Sequence, residues 1–128
     1  MSRPKIYTSY FANLKNIPSN IEPIAISRFT MDFYEGRHEP NLAPSSSLLK
    51  RYKDGEVNSV MFRKEYLSEL CNREGVNELI QSFTEKEYVL LCYEGRGKFC
   101  HRHILGEVLQ EMGFDVEEIW LLIDYSIN

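Results

Sequence analysis

Cys92, Glu94, Cys100, His101 and Arg102 crowd into one stretch, Tyr88-Val-Leu-Leu-Cys92-Tyr-Glu94-Gly-Arg-Gly-Lys-Phe-Cys100-His101-Arg102-His103-Ile-Leu-Gly-Glu-Val-Leu. Thiols are nucleophiles, imidazole moves protons near neutral pH, and guanidinium grips carboxylate or phosphate with paired donors. The stretch opens on apolar and aromatic residues, as a buried strand does. Ile104, Leu105, Val108, Leu109 and Met112 then recur at helical spacing. The pattern predicts strand, turn, helix, with Cys92 and Glu94 leaving the strand and Cys100-His101-Arg102 opening the helix. A helix start exposes unpaired N–H groups and the positive end of a dipole, which favours anions.

Each residue has a plainer role beside its chemical one. Arg102 can hold a phosphate or carboxylate, or form a salt bridge to Glu94 that ties loop to helix. Cys100, beside His101 and Arg102, has the surroundings of a nucleophile. With Ile104 and Val108 following at helical spacing, it reads more simply as a small buried residue facing the sheet. His101 shares a face with Leu105 and Leu109 and reads first as a packed, hydrogen-bonded histidine; His103 reads as surface. Glu94 can serve as general acid or base, bind a ribose hydroxyl, or cap the helix that Cys100 opens.

Specific templates do not match. A thiol phosphatase loop needs Cys, five residues, then Arg; at that spacing from Cys92 stands Lys98. A zinc site could draw on Cys92, Cys100, His101 and His103, but Cys-x7-Cys-His-x-His is no standard ligand spacing, so no metal is expected. Neither G-x-G-x-x-G nor G-x-x-x-x-G-K-[ST] occurs, and no cofactor is expected.

The elements that must position these groups come from the rest of the chain. With 128 residues, 43% of them apolar, a single α/β domain over 1–128 is expected. Lys5-Ile-Tyr-Thr-Ser-Tyr-Phe11 reads as a first strand, Phe11 to Asn16 as a short helix stopped by Pro18, and Pro23-Ile-Ala-Ile-Ser-Arg28 as a second strand opened by its proline. Thr30 to Ser47 is irregular. Ser45-Ser46-Ser47 offers an N-cap for a helix ended by Lys53-Asp-Gly55. Helices follow over about 59–72, with Met61, Phe62, Tyr66, Leu67 and Leu70 on one face and Cys71 as a core thiol, and over about 76–83. Gly113 stops the helix after Arg102, and Asp115 to Ile123 reads as a last strand with Asp115, Glu117 and Glu118 solvated. This order predicts a three-layer, Rossmann-like α/β sandwich with a mostly parallel sheet of about four or five strands.

Ligands of such sheets sit beyond the carboxyl ends of the strands. Ser9 and Tyr10 end strand one, Ser27 and Arg28 end strand two, and Cys92 and Glu94 leave the central strand. All should converge on Cys100, His101 and Arg102. Tyr7 and Tyr10 can stack on a base, or belong to the core.

Composition narrows the partners. A net charge of −4 argues against a basic nucleic-acid surface, while leaving room for a local basic pocket. No run approaches the roughly 18 apolar residues of a membrane span. An odd count of 3 cysteines fits reduced thiols and a cytoplasmic setting. Oligomeric state stays open: Trp120 and Leu121-Leu122-Ile123 can form a dimer edge or, as expected, a final core strand.

Cys92-x-Glu94, a short polar loop and Cys100-His101-Arg102 before an amphipathic helix resemble the signature of the domain-of-unknown-function 488 family. Lys5-Ile-Tyr-Thr-Ser-Tyr-Phe, the Pro-Ile-x-Ile-Ser-Arg28 strand and Leu42-Ala-Pro44 resemble its short bacterial and phage members, over about 5–120. The resemblance implies a Rossmann-like fold with the Cys-His-Arg turn at the pocket, and implies no particular reaction. Larger members carry a proline two residues after a Ser-Arg pair; Thr30 stands there in this chain. By analogy with small phage proteins that hold host nucleotide signals, an anti-defence role is one expectation.

Two functions follow as expectations. The first is binding, without turnover, of a phosphorylated nucleotide-like ligand by Ser9, Tyr10, Ser27, Arg28, Cys92, Glu94, Cys100, His101 and Arg102. The alternative is a small enzyme acting on a nucleotide or nucleobase, with Cys100 or Cys92 as nucleophile and Glu94 or His101 as acid or base. A nucleic-acid accessory role is disfavoured by the acidic charge.

Overall fold

The computed structural model describes residues 4–93 and 100–119. Five parallel strands form one sheet in the order β3-β2-β4-β1-β5. They are β1 (Lys5–Tyr10), β2 (Ile21–Ala25), β3 (Arg37–His38), β4 (Glu87–Cys92) and β5 (Asp115–Glu118). The α-helices are α1 (Ser46–Lys53), α2 (Ser59–Asn72), α3 (Val76–Gln81) and α4 (His101–Glu111), with 3-10 turns at Phe11–Asn16 and Pro40–Leu42. The expected α/β sandwich is thus present, with a sheet that is wholly parallel. No helix among the described residues is long and apolar enough to cross a membrane.

Strand alternation builds two cores. Tyr88 and Leu90 of β4, Ile6 of β1 and Ile24 of β2 point to one face, where they meet Leu48, Phe62, Tyr66, Ile80 and Leu105 from the α-helices. Val89, Leu91 and Ala25 point to the other, where Phe11, Leu14 and Ile17 cover them. β4 is buried on both faces, which is why it reads as a continuous apolar run.

Local chemistry sets the helix ends. Ser45 caps α1 by accepting the Leu48 N–H, and its backbone N–H and hydroxyl both donate to Glu69 of α2. Gly113 ends the chain's turn out of α4 with φ +98°, a conformation costly for residues with a Cβ. Gly106 lets α4 lie close to the sheet: a Cβ there would sit 3.3 Å from Val116 Cγ1 of β5.

Several expectations change. β2 starts at Ile21, so Pro23 lies inside the strand; β3 pairs only with Ile24 and Ala25, so Pro23 precedes that edge ladder. A two-residue strand, β3, lies within the irregular stretch after Thr30. α3 ends at Gln81, short of Phe83. On α2 only Phe62, Tyr66 and Leu70 are buried; Met61 and Cys71 each fall one position off that stripe and are exposed, so Cys71 is not a core thiol. β5 ends at Glu118; Trp120 and Leu121 to Ile123 lie outside the described residues.

Candidate functional site

The carboxyl edge of the sheet carries the ends of β1, β2 and β4 together with the start of α4. Its most deeply placed charge is Arg102, whose relative exposure is 0%. Arg102 spans from α4 to the end of β5, where Nη2 donates to Glu118 Oε2 at 2.7 Å and Nε to Oε1 at 3.1 Å. Its guanidinium also lies 5.4 Å from the centre of the Tyr10 ring and donates through Nη1 to Cys92 Sγ at 3.2 Å. Burial by itself would raise the Glu118 pKa. Hydrogen bonds from His103, Arg102 and Thr8 outweigh that and bring it down to about 2.

Next to this pair lies the sulfur cluster. Cys92 and Cys100 are buried with their sulfurs in bonding contact and their Cα atoms 7.6 Å apart. His101 Nε2 is 2.7 Å from the Ile26 carbonyl, so Nε2 carries the hydrogen and Nδ1 is the bare acceptor. Nδ1 points to Cys100 Sγ at 3.8 Å. Burial lowers the His101 pKa to about 4, helped by the Arg102 and His103 charges and opposed by the Ile26 bond; the ring is therefore neutral at pH 7. The two sulfurs and a histidine nitrogen all lie within 4.8 Å of one another.

A cavity of about 1110 Å³ opens over this cluster. Cys92, Cys100 and His101 line it together with Ser27, Arg28 and Phe29 after β2. Ser46, Leu49, Lys50, Tyr52 and Lys53 of α1 form its opposite wall. Arg28 is steadied by donating Nε–H to the Pro44 carbonyl at 2.8 Å. Among the described residues the lining includes three cations, Arg28, Lys53 and Lys50, the last paired with Asp54 at 2.7 Å, and no carboxylate. Phe29 is 75% exposed and Tyr93 45%, so two aromatic faces are open at the cavity.

The predicted residues therefore separate. Ser27, Arg28, Cys92, Cys100 and His101 meet at the cavity. Ser9 does not: its hydroxyl donates to the Ile119 carbonyl and accepts from Asn13, a pin between β1, the first 3-10 turn and the residue after β5. Tyr10 and Arg102 stand behind the sulfur cluster, packed on each other. Tyr7 packs on the second core. Glu94, expected as acid, base or cap, lies outside the described residues.

Glu118, read as solvated, is the partner of Arg102. Its side chain is 13% exposed, because α4 closes over the end of β5. Asp115 and Glu117 do face solvent, beside Lys5. Sequence reasoning also missed Phe29, Lys50, Tyr52, Lys53 and Tyr93. The available signal was the Ser45 cap, which fixes where α1 starts and hence which of its residues turn toward the sheet edge.

The family model described as the active DUF488-N3 subclade (DUF488-N3a) matches residues 15–113. Neither the curated proteins nor the solved structures contain a match to the chain.

Proposed function

The chain belongs to the DUF488 family, and from the cavity at its Cys-His-Arg turn we propose that it binds a phosphorylated, nucleotide-like ligand. The observation that carries this reading is the described lining itself: Arg28, Lys53 and the Asp54-paired Lys50, with no carboxylate among the described lining residues, in a chain of net charge −4. Such a concentration of positive charge against the overall balance suits a small anion better than a polyanion. Phe29, Tyr52 and Tyr93 add aromatic surface for a base. The volume of about 1110 Å³ lies just above the roughly 300–1,000 Å³ of small-molecule pockets and gives room for such a ligand. The anion contact falls to the rim cations, because the Arg102 fork is engaged by Glu118. Capture without turnover fits a phage-type protein that sequesters a nucleotide signal in the cytoplasm.

A second reading rests on the Arg102–Cys92 contact. The guanidinium donates to Cys92 Sγ at 3.2 Å on the floor of the cavity, and would hydrogen-bond that sulfur in the reduced protein. The reduced Cys92 thiolate would then be the nucleophile of an enzyme acting on a nucleotide or nucleobase. The description of the matched subclade as active agrees with this reading.

One experiment addresses both. The reduced protein is incubated with a panel of nucleotides, including cyclic and ADP-ribose-type molecules, filtered, and heat-denatured; the released molecules are identified by mass spectrometry. A ligand returned unchanged supports binding. A ligand returned altered, with the alteration lost in Cys92→Ser, supports the enzyme. Recovery of no nucleotide or sugar phosphate defeats both.

A further inference from the structure

We propose that Cys92, Cys100 and His101 form a three-ligand site for a soft divalent cation of the zinc type, its fourth position open to the cavity. Two thiolates and one imidazole are the donors that such ions prefer over oxygen-seeking magnesium or calcium. The three residues are buried, and their ligand atoms lie within 4.8 Å of one another. Of the four donors the sequence offers, the structure groups Cys92, Cys100 and His101, while His103 turns to Glu118.

The surroundings fit ligation in two further ways. Metal-bound histidines characteristically donate their other ring N–H to a carbonyl or carboxylate, which fixes tautomer and ring plane. The Ile26 carbonyl, 2.7 Å from Nε2, has that position and leaves Nδ1 facing the sulfurs. On the other side, the Arg102 guanidinium donates to Cys92 Sγ at 3.2 Å and so fixes the direction of that side chain. The Cα atoms of the two cysteines are 7.6 Å apart, beyond the roughly 4.4–6.8 Å that disulfides span. Once the two cysteines are reduced, that separation leaves room between them for two thiolates each about 2.3 Å from a shared zinc. All three residues also line the cavity, so an ion held there has protein on one side and open space on the other. Three protein ligands with one open position is the arrangement of zinc sites that meet exogenous molecules, whereas purely structural sites are closed by four.

The inference does not depend on the ligand reading: metal uptake needs no nucleotide, and nucleotide capture needs no metal. To test it, the whole chain is reduced, stripped of metal and titrated separately with Zn²⁺ and Co²⁺. The expected result is uptake of one ion per chain with sulfur-to-cobalt charge-transfer absorption. Zn²⁺ should protect Cys92 and Cys100 from alkylation while Cys71, which is exposed, reacts at its metal-free rate. Cys71→Ser should leave uptake unchanged. Cys100→Ser should weaken Zn²⁺ binding by more than about tenfold, the lower end of what loss of an outer hydrogen-bond partner alone costs. Should Cys100→Ser fail to fold, the protection pattern of the unaltered chain decides. Folded, fully reduced protein that shows no charge-transfer absorption, or alkylates equally at Cys92, Cys100 and Cys71 with and without Zn²⁺, overturns the proposal.

Discussion

Arg102 at the start of α4 and Glu118 at the end of β5 form a two-pronged ion pair, with Nη2–Oε2 at 2.7 Å and Nε–Oε1 at 3.1 Å. The guanidinium has no exposed surface and the carboxylate little. The pair fixes α4 against the sheet edge and so holds Cys100 and His101 over the end of β4.

Removing one member should be far worse than its surface counterpart. Breaking a buried pair costs about 3–5 kcal/mol, because the remaining charge is stranded. Arg102→Ala and Glu118→Gln should each lower stability by that order in urea unfolding. Arg102→Lys should recover only part of the loss, since an ammonium cannot reproduce the fork. An Arg102→Ala protein as stable as the parent would contradict this placement.

The same pair gives a pH dependence with a defined sign. The Glu118 carboxyl has its pKa lowered to about 2 in the fold, against an ordinary value of 4.5. A depressed carboxyl pKa stabilises the fold fully above the unfolded value and loses that contribution as pH falls through the folded one. Stability should therefore decline between about pH 4.5 and pH 2, with Glu118 accounting for on the order of 3 kcal/mol. The facing groups are Arg102, His103 and Thr8. Comparing unfolding free energies across that range for the parent and Glu118→Gln isolates the contribution, which should be missing from the variant.

Ser45 carries a separate prediction. Its hydroxyl accepts the Leu48 N–H while donating to Glu69, joining the start of α1 to α2. Ser45→Ala should cost about 1–2 kcal/mol, the upper part of the range for lost caps. Because α1 forms one wall of the cavity, ligand affinity should fall with it.

Much of the fold was legible in the sequence. The apolar run before Cys92, the helical spacing after Arg102, the serine cap and Gly113 each have a local cause, and each reappears in the structure. β3 was not legible, because a two-residue edge strand has too few positions to show alternation. The convergence of Ser27, Arg28, Cys92, Cys100 and His101 on one cavity was legible, because strand ends and one helix start must meet there. It was misread at Ser9, Tyr10 and Arg102, whose partners Ile119, Arg102 and Glu118 are fixed by tertiary packing. Glu118 looked solvated since its neighbours Asp115 and Glu117 are; only the crossing of α4 over β5 distinguishes it.

The rim cations should affect binding without affecting the fold. Lys53 is exposed, and its replacement should shift stability by no more than about 0.5 kcal/mol. Loss of the Lys53 charge should weaken binding of a nucleotide, and weaken binding of the matching nucleoside much less. Rising salt should reduce the affinity of the parent more than that of Lys53→Ala. Thermal unfolding and equilibrium binding on the same samples separate the two effects.

The most direct test of the account is a calorimetric titration of the nucleotide recovered from the panel. It is made into the reduced parent protein and into Lys53→Glu, with thermal unfolding of both measured alongside. Saturable binding to the parent and at least a tenfold loss of affinity in Lys53→Glu, about 1.4 kcal/mol, are expected, with unfolding unchanged. Equal affinity in the two proteins would place the ligand elsewhere and contradict the assignment of this cavity.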